Sequence, residues 1–482
     1  MARKPLWDAM EKYYEAHVYP MHTPGHKGGR GMARELQEVL GRKALAMDVS
    51  LMSELDDLHR PETCLKEAQE LAAQLYGADQ SYFAVNGTTG AIHAMFLGAF
   101  KPGDAVLIPR NAHRSVTGAL ILAQLQPVYL MPHYSKKWGL SLQITPEDIE
   151  RTLKQHQEIK GVFLTSPNYY GLAADVAAIA RICHERRLPL LVDEAHGPHL
   201  GFSKELPQSA LASGADAVAQ STHKLVGALT QCSMLHVHSE LLSAERMRAA
   251  MSMVTTTSPN YLLMASLDLA RAQLEDYGAV MAEEALAAAD RLRLTLEHVP
   301  YLRVVEQELV GEGGVVALDK TKVTVNVNAL GRSGVEIGAK LREAGIAVEL
   351  VDRDNILFLV TYADASPSFE GALAKIEATF KELSQDTQEP WPLVHSGIPL
   401  PFPVLPPAKA FYAASKVVPF NEAAGELCAE QISFYPPGIP VVVPGERLTR
   451  EVIDYCQSML AAKIPVSGPA DSTLTEIRVV TK

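Results

Sequence analysis

The sequence predicts an α/β protein with a mostly parallel sheet and helices on both of its faces. Between residues 81 and 237, short β-type runs alternate with helical stretches. Several of these runs are apolar throughout, as is typical of strands buried on both faces, and a βαβα order favours parallel pairing. A second, shorter strand–helix pattern follows Pro300 and predicts a smaller α+β domain after the first.

The larger domain is predicted from short apolar strands separated by helices. The predicted strands are Ser81–Val85, Ala105–Pro109, Val128–Met131, Gly161–Thr165, Leu188–Asp193, Ala217–Gln220 and Cys232–Val237. Helices are predicted at Ala91–Phe100 and Ala173–Arg187, the second being amphipathic with a basic end. A threonine-rich turn at Met253–Ser258 precedes a long helical region that reaches about His298.

The remaining chain is predicted to form two further parts. The α+β pattern comprises strands Thr321–Val327, Ala347–Val351 and Ile356–Thr361 and helices Val335–Ala344 and Phe369–Leu383. The segment Pro390–Pro407 is dense in proline, which excludes regular helix or central strand and favours an extended connector. We therefore expect three divisions, residues 1–300, 301–385 and 386–482.

Composition, charge and cysteine spacing exclude several classes of binding partner and of targeting segment. The 482 residues are 47% hydrophobic with a net charge of -12, which argues against nucleic acid or an anionic membrane. Charged residues interrupt the N-terminal segment, so it is neither a signal peptide nor a membrane span. Five separated cysteines without a C-x-x-C pair, and no H-E-x-x-H motif, predict a cytoplasmic protein with free thiols and no metal site.

Two residues that follow buried strands carry the strongest chemical signal. Lys224 ends Ser221-Thr-His-Lys224, directly after an apolar run, and Asp193 ends another run before Glu194-Ala-His196. Each has an ordinary alternative, a solvated loop lysine and a capping carboxylate. Together they fit a lysine that forms a Schiff base with an aldehyde and a carboxylate that keeps a pyridine ring protonated.

Two further loops fit a phosphorylated aromatic ligand. Asn86-Gly-Thr-Thr-Gly90 joins a strand to a helix, where small residues and the helix N-terminus suit a phosphate, although such turns also occur where nothing binds. It is not a Walker loop, because no G-K-[ST] follows. His113, in Arg110-Asn-Ala-His-Arg-Ser115, would stack on a ring or serve as an ordinary hydrogen-bonded histidine.

These four loops, in this order and spacing, resemble the Orn/Lys/Arg decarboxylase family of fold-type-I enzymes that use pyridoxal 5'-phosphate (PLP). The resemblance covers nearly the whole chain. The other matching motifs are His22-Thr-Pro-Gly-His-Lys-Gly28, Asp56-Asp-Leu-His59, Thr255-Thr-Thr-Ser-Pro259, Tyr435-Pro-Pro-Gly-Ile-Pro440 and Pro444-Gly-Glu446. The resemblance implies an aspartate aminotransferase-like major domain with PLP as cofactor.

The resemblance also implies a role for each matching residue. Lys224 would carry the cofactor aldehyde, and Asp193 would pair with the pyridinium nitrogen. His113 and Ala195 would cover the two faces of the ring. The residues expected to hold the phosphate are Thr88, Thr89, Ser221 and His223. Thr256 would reach the phosphate of a neighbouring subunit, which implies a homodimer or a larger homo-oligomer with shared sites.

The implied reaction is the decarboxylation of a basic amino acid. Arginine, giving agmatine for polyamine biosynthesis, is expected first, and lysine and ornithine follow closely. The proton for Cα would come from His113 or Lys224. The carboxylates considered for the cation of the substrate side chain are Asp56, Asp57, Glu194 and Glu446.

Two features depart from the large family members, and rival functions stay open. Those members carry a wing domain before the core, whereas here the His22 motif lies near the start and Glu-Ala-His follows Asp193, as in the short bacterial branch. This does not favour their decameric assembly. The rivals are an aminotransferase or α-oxoamine synthase, with Arg447 as a carboxylate clamp, and a silent PLP-binding regulatory protein. The place of Arg447 beside Pro444-Gly-Glu446 fits a decarboxylase better.

Overall fold

The computed structural model describes residues 1–390, 401–434 and 438–481. Two compact units divide the chain. The first comprises Met1–Ala99, Leu191–Phe202 and Ser209–Ala279, and the second Phe100–Leu190, Ser203–Gln208 and Val280–Lys482. Within the described ranges, no helix has the length and apolar character needed to cross a bilayer. The three-part division at residues 300 and 385 stays a prediction.

Helices occur throughout the described residues. They are α1 (Pro5–Glu15), α2 (Arg34–Met47), α3 (Cys64–Tyr76), α4 (Gly87–Ala99), α5 (Arg114–Leu122), α6 (Pro146–Gln155), α7 (Val176–His184), α8 (Thr222–Leu225), α9 (Ala244–Val254), α10 (Tyr261–Glu297), α11 (Gly334–Glu343), α12 (Ser368–Gln385), α13 (Pro407–Phe411) and α14 (Arg450–Ala461).

Most strands are short. They are β1 (Gln80–Ala84), β2 (Ala105–Pro109), β3 (Gln126–Leu130), β4 (Tyr134–Ser135), β5 (Leu140–Ser141), β6 (Ile159–Thr165), β7 (Leu172–Ala174), β8 (Leu190–Asp193), β9 (Ala217–Gln220), β10 (Ser233–Val237), β11 (Arg303–Val304), β12 (Val315–Leu318), β13 (Lys322–Asn326), β14 (Leu350–Val351), β15 (Asn355–Leu359), β16 (Phe402–Pro403), β17 (Ser415–Pro419), β18 (Ile432–Phe434), β19 (Ile439–Val442), β20 (Glu446–Arg447), β21 (Val466–Ser467) and β22 (Glu476–Val480).

In the first unit, the order of strands brings two loops to one edge of the sheet. β8 pairs in parallel with β9, with Asp193 opposite Ala219, and β10 pairs antiparallel with both β9 and β1. All four residues of β8 and of β9 are buried, which explains why each strand is apolar up to its last residue, Asp193 in β8 and Gln220 in β9. Because β8 and β9 run in the same direction, the loops that follow Asp193 and Gln220 begin side by side.

The second unit contains a parallel group of strands and a smaller antiparallel sheet. β2 pairs in parallel with β3 and with β6. The smaller sheet has the order β11-β13-β15-β14 and shares an apolar core with α11 and α12. A separate core near the C-terminus includes Phe420, Val442 and Ile453. Each group therefore has its own buried apolar residues.

Several helix boundaries differ from those predicted, and two helices differ most at the residue where they begin. The predicted helix Ala173–Arg187 begins only at Val176, because Ala173 and Ala174 pair with β12 and Asp175 caps α7, accepting from the backbone N–H of Ala178 at 2.9 Å. α4 begins at Gly87 rather than Ala91, so Gly87–Gly90 of the motif form the first turn of the helix and Asn86 directly precedes it. In the predicted connector Pro390–Pro407, residues 391–400 lie outside the described residues, and β16 and the start of α13 follow.

Candidate active site

Asp193 is a buried carboxylate with an incomplete set of hydrogen bonds. Its side chain is 4% exposed, and its Oδ1 accepts from the backbone N–H of Ala195 at 3.0 Å. Among the described residues, no donor contacts its Oδ2. Burial raises the pKa of Asp193, whereas the N–H of Ala195 and the charge of Lys224 lower it. A cation placed at Oδ2 would stabilise the ionised form of this carboxylate.

Lys224 lies in the short helix α8, and its amine contacts a histidine from the neighbouring loop. The Nζ of Lys224 is 3.0 Å from the Nε2 of His196, which is 4% exposed. The loops after β8 and β9 are thus joined directly by side chains. The sequence identified His196 only as a departure from the large enzymes and did not predict this contact. Its position three residues after Asp193 was the available signal.

Three hydroxyl groups meet beside the start of α4. The Oγ1 of Thr88 lies 2.5 Å from the Oγ of Ser221 and 2.9 Å from the Oγ of Ser233. Thr222 also has a buried hydroxyl, for which the described residues offer no partner. Ser233, a polar residue at the start of a buried strand, was missed by the sequence analysis. Hydroxyls at a helix N-terminus are suited to an anion.

The other predicted ligands in the first unit have more varied surroundings. His223 contacts the carbonyl of Cys232 through Nδ1 at 2.7 Å, and Ala195 is 8% exposed. Thr89 is exposed in the first turn of α4. Thr256 is exposed, and its carbonyl contacts the Nε2 of His59 at 2.9 Å. An exposed Thr256 side chain is consistent with a role towards another subunit, which stays a prediction.

The remaining predicted residue, His113, belongs to the second unit. It caps α5, since its Nδ1 accepts from the backbone N–H of Ser115 at 3.2 Å. On either side of His113, Arg110 donates to the carbonyls of Pro440 and Val441, and the N–H of Arg114 donates to the carbonyl of Gly438. The loop that carries His113 is thus bound to the described part of the C-terminal motif. Tyr435 to Pro437 lie outside the described residues.

The structure gives internal partners to the carboxylates that were considered for the substrate cation. Glu446 pairs with Arg110 at 2.9 Å, and Glu194 accepts from the side chain of Gln220. Asp56 accepts backbone N–H groups around the start of α3, including that of Thr63 at 2.7 Å, and Asp57 accepts from the N–H of His59. Arg447 is exposed and donates to the carbonyl of Gly425 at 2.6 Å.

The residues of the first unit fit PLP group by group. PLP carries an aldehyde, a basic ring nitrogen and a phosphate. Lys224 offers an amine to the aldehyde, and the free Oδ2 of Asp193 offers an acceptor to a protonated ring nitrogen. The hydroxyls near Thr88 and the N-terminus of α4 offer donors to the phosphate. The partnerless hydroxyl of Thr222 is a further group that a ligand would satisfy.

Fold and loops together define the class of protein. A lysine decarboxylase from Francisella novicida superposes with a TM-score of 0.85 at 23% identity, covering 99% of this chain and 81% of that one. An aminotransferase from Bacillus subtilis, which acts on ureidoglycine and glyoxylate, superposes with a TM-score of 0.50 over 66% of this chain. The chain therefore has the fold-type-I architecture of PLP-dependent enzymes, as predicted.

Family models identify the chain more closely. The major-domain model of Orn/Lys/Arg decarboxylase matches residues 4–367, and the C-terminal-domain model matches residues 397–467. The chain belongs to the Orn/Lys/Arg decarboxylase family. The family and the decarboxylase class predicted from the sequence are thus confirmed.

Curated relatives agree with this assignment along the whole chain. Two proteins named arginine decarboxylase, from Bacillus anthracis and Bacillus subtilis, are each 40% identical over 99% of this chain and 97% of their own length. The inducible lysine decarboxylase of Escherichia coli K12 is 25% identical over 94% of this chain and 77% of its own length.

Proposed function

We propose that this protein uses PLP to decarboxylate a basic amino acid, with arginine as the preferred substrate and agmatine as the product. The observation that carries the proposal is the placement of Lys224 and Asp193 on neighbouring loops after two adjacent parallel strands. The preference for arginine rests on the relatives named arginine decarboxylase, which match over nearly their full length. We place the enzyme in the cytoplasm as a homodimer or a larger homo-oligomer.

Each residue has a role set by its surroundings. When bound, PLP supplies an electron-accepting ring that stabilises the electron pair left at Cα. Asp193 holds the ring nitrogen in its protonated form, since a buried carboxylate without a second donor favours a nearby cation. Lys224 would hold the cofactor by its aldehyde, because its amine is the nucleophile of the site. His196 contacts its amine and orients it.

The reaction breaks one bond of the substrate and adds one proton to Cα. The bond between Cα and the α-carboxylate breaks, CO₂ leaves, and Cα takes up one proton. Lys224 and His113 are the two proton donors that we consider. Thr88, Thr89, Ser221 and His223 would hold the phosphate and so fix the cofactor relative to Lys224. Ala195 and His113 are the residues that would face the ring, and Thr256 would reach the phosphate of the adjoining subunit.

The assignment of Lys224 is tested by trapping its bond to the cofactor. Borohydride reduction of the PLP-loaded protein, followed by peptide mass spectrometry, should place the pyridoxyl group on residue 224. Lys224→Ala should lose this label and reduce turnover by orders of magnitude. The matched control is Lys204→Ala, because Lys204 is exposed. A label on another lysine in the wild type, or unchanged turnover in Lys224→Ala, would contradict the assignment.

A further inference from the structure

A chain of hydrogen-bonded, buried polar side chains runs from β1 across β10 and β9 to the residue that follows Asp193. The Oγ of Ser81 on β1 lies 2.6 Å from the Nδ1 of His236 on β10. The Nε2 of His236 lies 3.1 Å from the Oε1 of Gln220 on β9. The Nε2 of Gln220 donates to the Oε2 of Glu194 at 2.7 Å. Each of the four side chains is at most 5% exposed.

The two residues at one end of this chain adjoin residues of the cofactor site. Glu194 directly follows Asp193, and Gln220 directly precedes Ser221. The second oxygen of Glu194 accepts from the backbone N–H of Ala210 at 2.6 Å. Gly197 packs so closely that a Cβ there would lie 2.4 Å from the Cγ of Glu194. The turn from Asp193 to Gly197 is therefore built tightly around this carboxylate.

The direction of the hydrogen bonds depends on the proton of Glu194. With Glu194 ionised, Ser81 donates to Nδ1 of His236, Nε2 of His236 donates to Gln220, and Gln220 donates to Glu194. With Glu194 protonated, its hydroxyl donates to the carbonyl of Gln220 after the amide rotates. The amide N–H then donates to Nε2, and Nδ1 donates to Ser81. Both arrangements satisfy the imidazole in its neutral form.

The groups that face Glu194 do not include a cation in the described residues. The groups that interact with its charge are Asp193 and the phenol of Tyr76 from α3, whose ring also packs against His236. Burial raises the pKa of Glu194 to about 8, and the charge of Asp193 raises it as well, whereas the bonds from Gln220 and Ala210 lower it. Burial lowers the pKa of His236 to about 3, so this imidazole stays neutral.

We propose that Glu194 is a positioning residue that sets the charge beside Asp193, and that the Ser81–His236–Gln220 chain reverses its hydrogen bonds when Glu194 gains or loses its proton. This deepens the proposed function and rests on PLP binding at Asp193 and Lys224. When Glu194 is protonated, it adds no negative charge to the turn beside Asp193. As the pH rises, ionised Glu194 adds a second negative charge one residue away. That charge increases the proton affinity of groups bound to Asp193 and of the Schiff base at Lys224.

The test is a pH titration of the visible absorbance of the PLP-loaded protein, with no substrate present. The wild type should titrate in two coupled steps, one of them from Glu194 near pH 8. Glu194→Gln cannot ionise and should titrate in a single step. Glu185→Gln, at an exposed residue just after α7, is the matched control and should keep both steps.

A second variant makes the test independent of whether Glu194→Gln folds. Gln220→Asn shortens the side chain and removes the donor to the Oε2 of Glu194. Since that bond lowers the pKa of Glu194, its loss should raise the midpoint of the Glu194 step by about one to two pH units. Two steps retained in Glu194→Gln, or an unmoved midpoint in Gln220→Asn, would overturn the proposal.

These results are separable from a failure of the proposed function. The spectrum reports on bound PLP and does not depend on which amino acid is the substrate. Two-step titration in a protein that makes no agmatine would support the role of Glu194 and contradict only the substrate. Single-step titration in a wild type that makes agmatine would contradict only the role of Glu194.

Discussion

Asp193 combines two physical properties that define its role. It is buried, so its charge is costly, and only one of its oxygens receives a hydrogen bond from the described residues. A protonated ring nitrogen at the other oxygen would remove that cost. In the proposed site, the carboxylate and the cofactor would stabilise each other, and a change at residue 193 should weaken both PLP binding and turnover.

Asp193→Asn tests this role with nearly unchanged volume. Losing the charged partner of a buried cation costs about 3–5 kcal/mol, so we expect kcat/KM to fall by roughly 150- to 5,000-fold, together with weaker PLP binding. Asp175→Asn is the matched control, because Asn caps a helix as well as Asp does. Steady-state kinetics and a PLP titration give both quantities. An Asp193→Asn variant with wild-type kcat/KM would exclude a pyridinium partner at this position.

At the residue scale, the sequence predicted which polar residues belong to the candidate site, but it did not predict the contacts that these residues make. Asp193 was found because it ends an apolar run, and Lys224 because its motif, Ser221-Thr-His-Lys224, directly follows another. The contact of Lys224 with His196 depends on how two loops fold. The contact of the Ser233 hydroxyl with Thr88 depends on the pairing of β10 with β1, in which Ser233 lies opposite Ala84. Neither follows from local sequence. Burial of Glu446 was equally hidden, since its partner Arg110 lies 336 positions away.

At the element scale, the loop between β2 and α5 is fixed by a buried ion pair. Arg110 and Glu446 are 2% and 1% exposed, and Arg110 also donates to the carbonyls of Pro440 and Val441. The same carboxylate accepts from the N–H of Val443 at 2.7 Å. Because His113 lies three residues after Arg110, this pair fixes the start of the loop that carries His113.

Replacing only one residue of the Arg110–Glu446 pair should therefore lower the free energy of unfolding more than replacing both with apolar residues. Glu446→Ala leaves a buried guanidinium uncompensated, and we expect the free energy of unfolding to fall by about 3–5 kcal/mol. The double variant Arg110→Met/Glu446→Leu replaces the pair with apolar groups and should recover part of that loss. Urea denaturation of both variants measures the difference. Equal stability of Glu446→Ala and wild type would show that the pair contributes little.

Strand bounds were predicted correctly where burial on both faces requires an apolar sequence. The start of a helix was predicted wrongly where residues pair with a distant strand. β2 and β9 have the predicted bounds because all of their residues are buried and all except Gln220 are apolar. Ala173 and Ala174 favour helix by themselves, yet they pair with β12, a strand more than 140 positions later. Local propensity cannot anticipate a partner at that distance.

At the scale of the whole molecule, the first unit exposes apolar residues near its N-terminus. These are Val18, Tyr19, Met21, Leu36, Val39, Leu40 and Leu51, each at least 44% exposed. Large apolar groups gathered in one segment favour contact with another chain. Together with the exposed Thr256, they support the proposed homo-oligomer with shared sites.

Mixing two inactive variants tests whether sites are shared. If each site takes Lys224 from one subunit and Thr256 from the other, a dimer of one Lys224→Ala subunit and one Thr256→Val subunit has both substitutions in the same site. Its other site is intact. Random reassociation should restore about a quarter of the wild-type activity, because half of the dimers are mixed. Unmixed variants, taken through the same dissociation, are the control. No recovery, with mixed dimers verified by native mass spectrometry, would place both residues in a site formed by one chain.

The most direct test is amine production by the purified, PLP-loaded protein given arginine, lysine or ornithine separately, without a keto acid. We predict agmatine from arginine with release of CO₂, and a lower kcat/KM for lysine and ornithine. Turnover that requires an added keto acid would instead make the protein an aminotransferase on the same fold. No amine from any of the three substrates, in a preparation whose Lys224 carries PLP, would contradict decarboxylation of a basic amino acid.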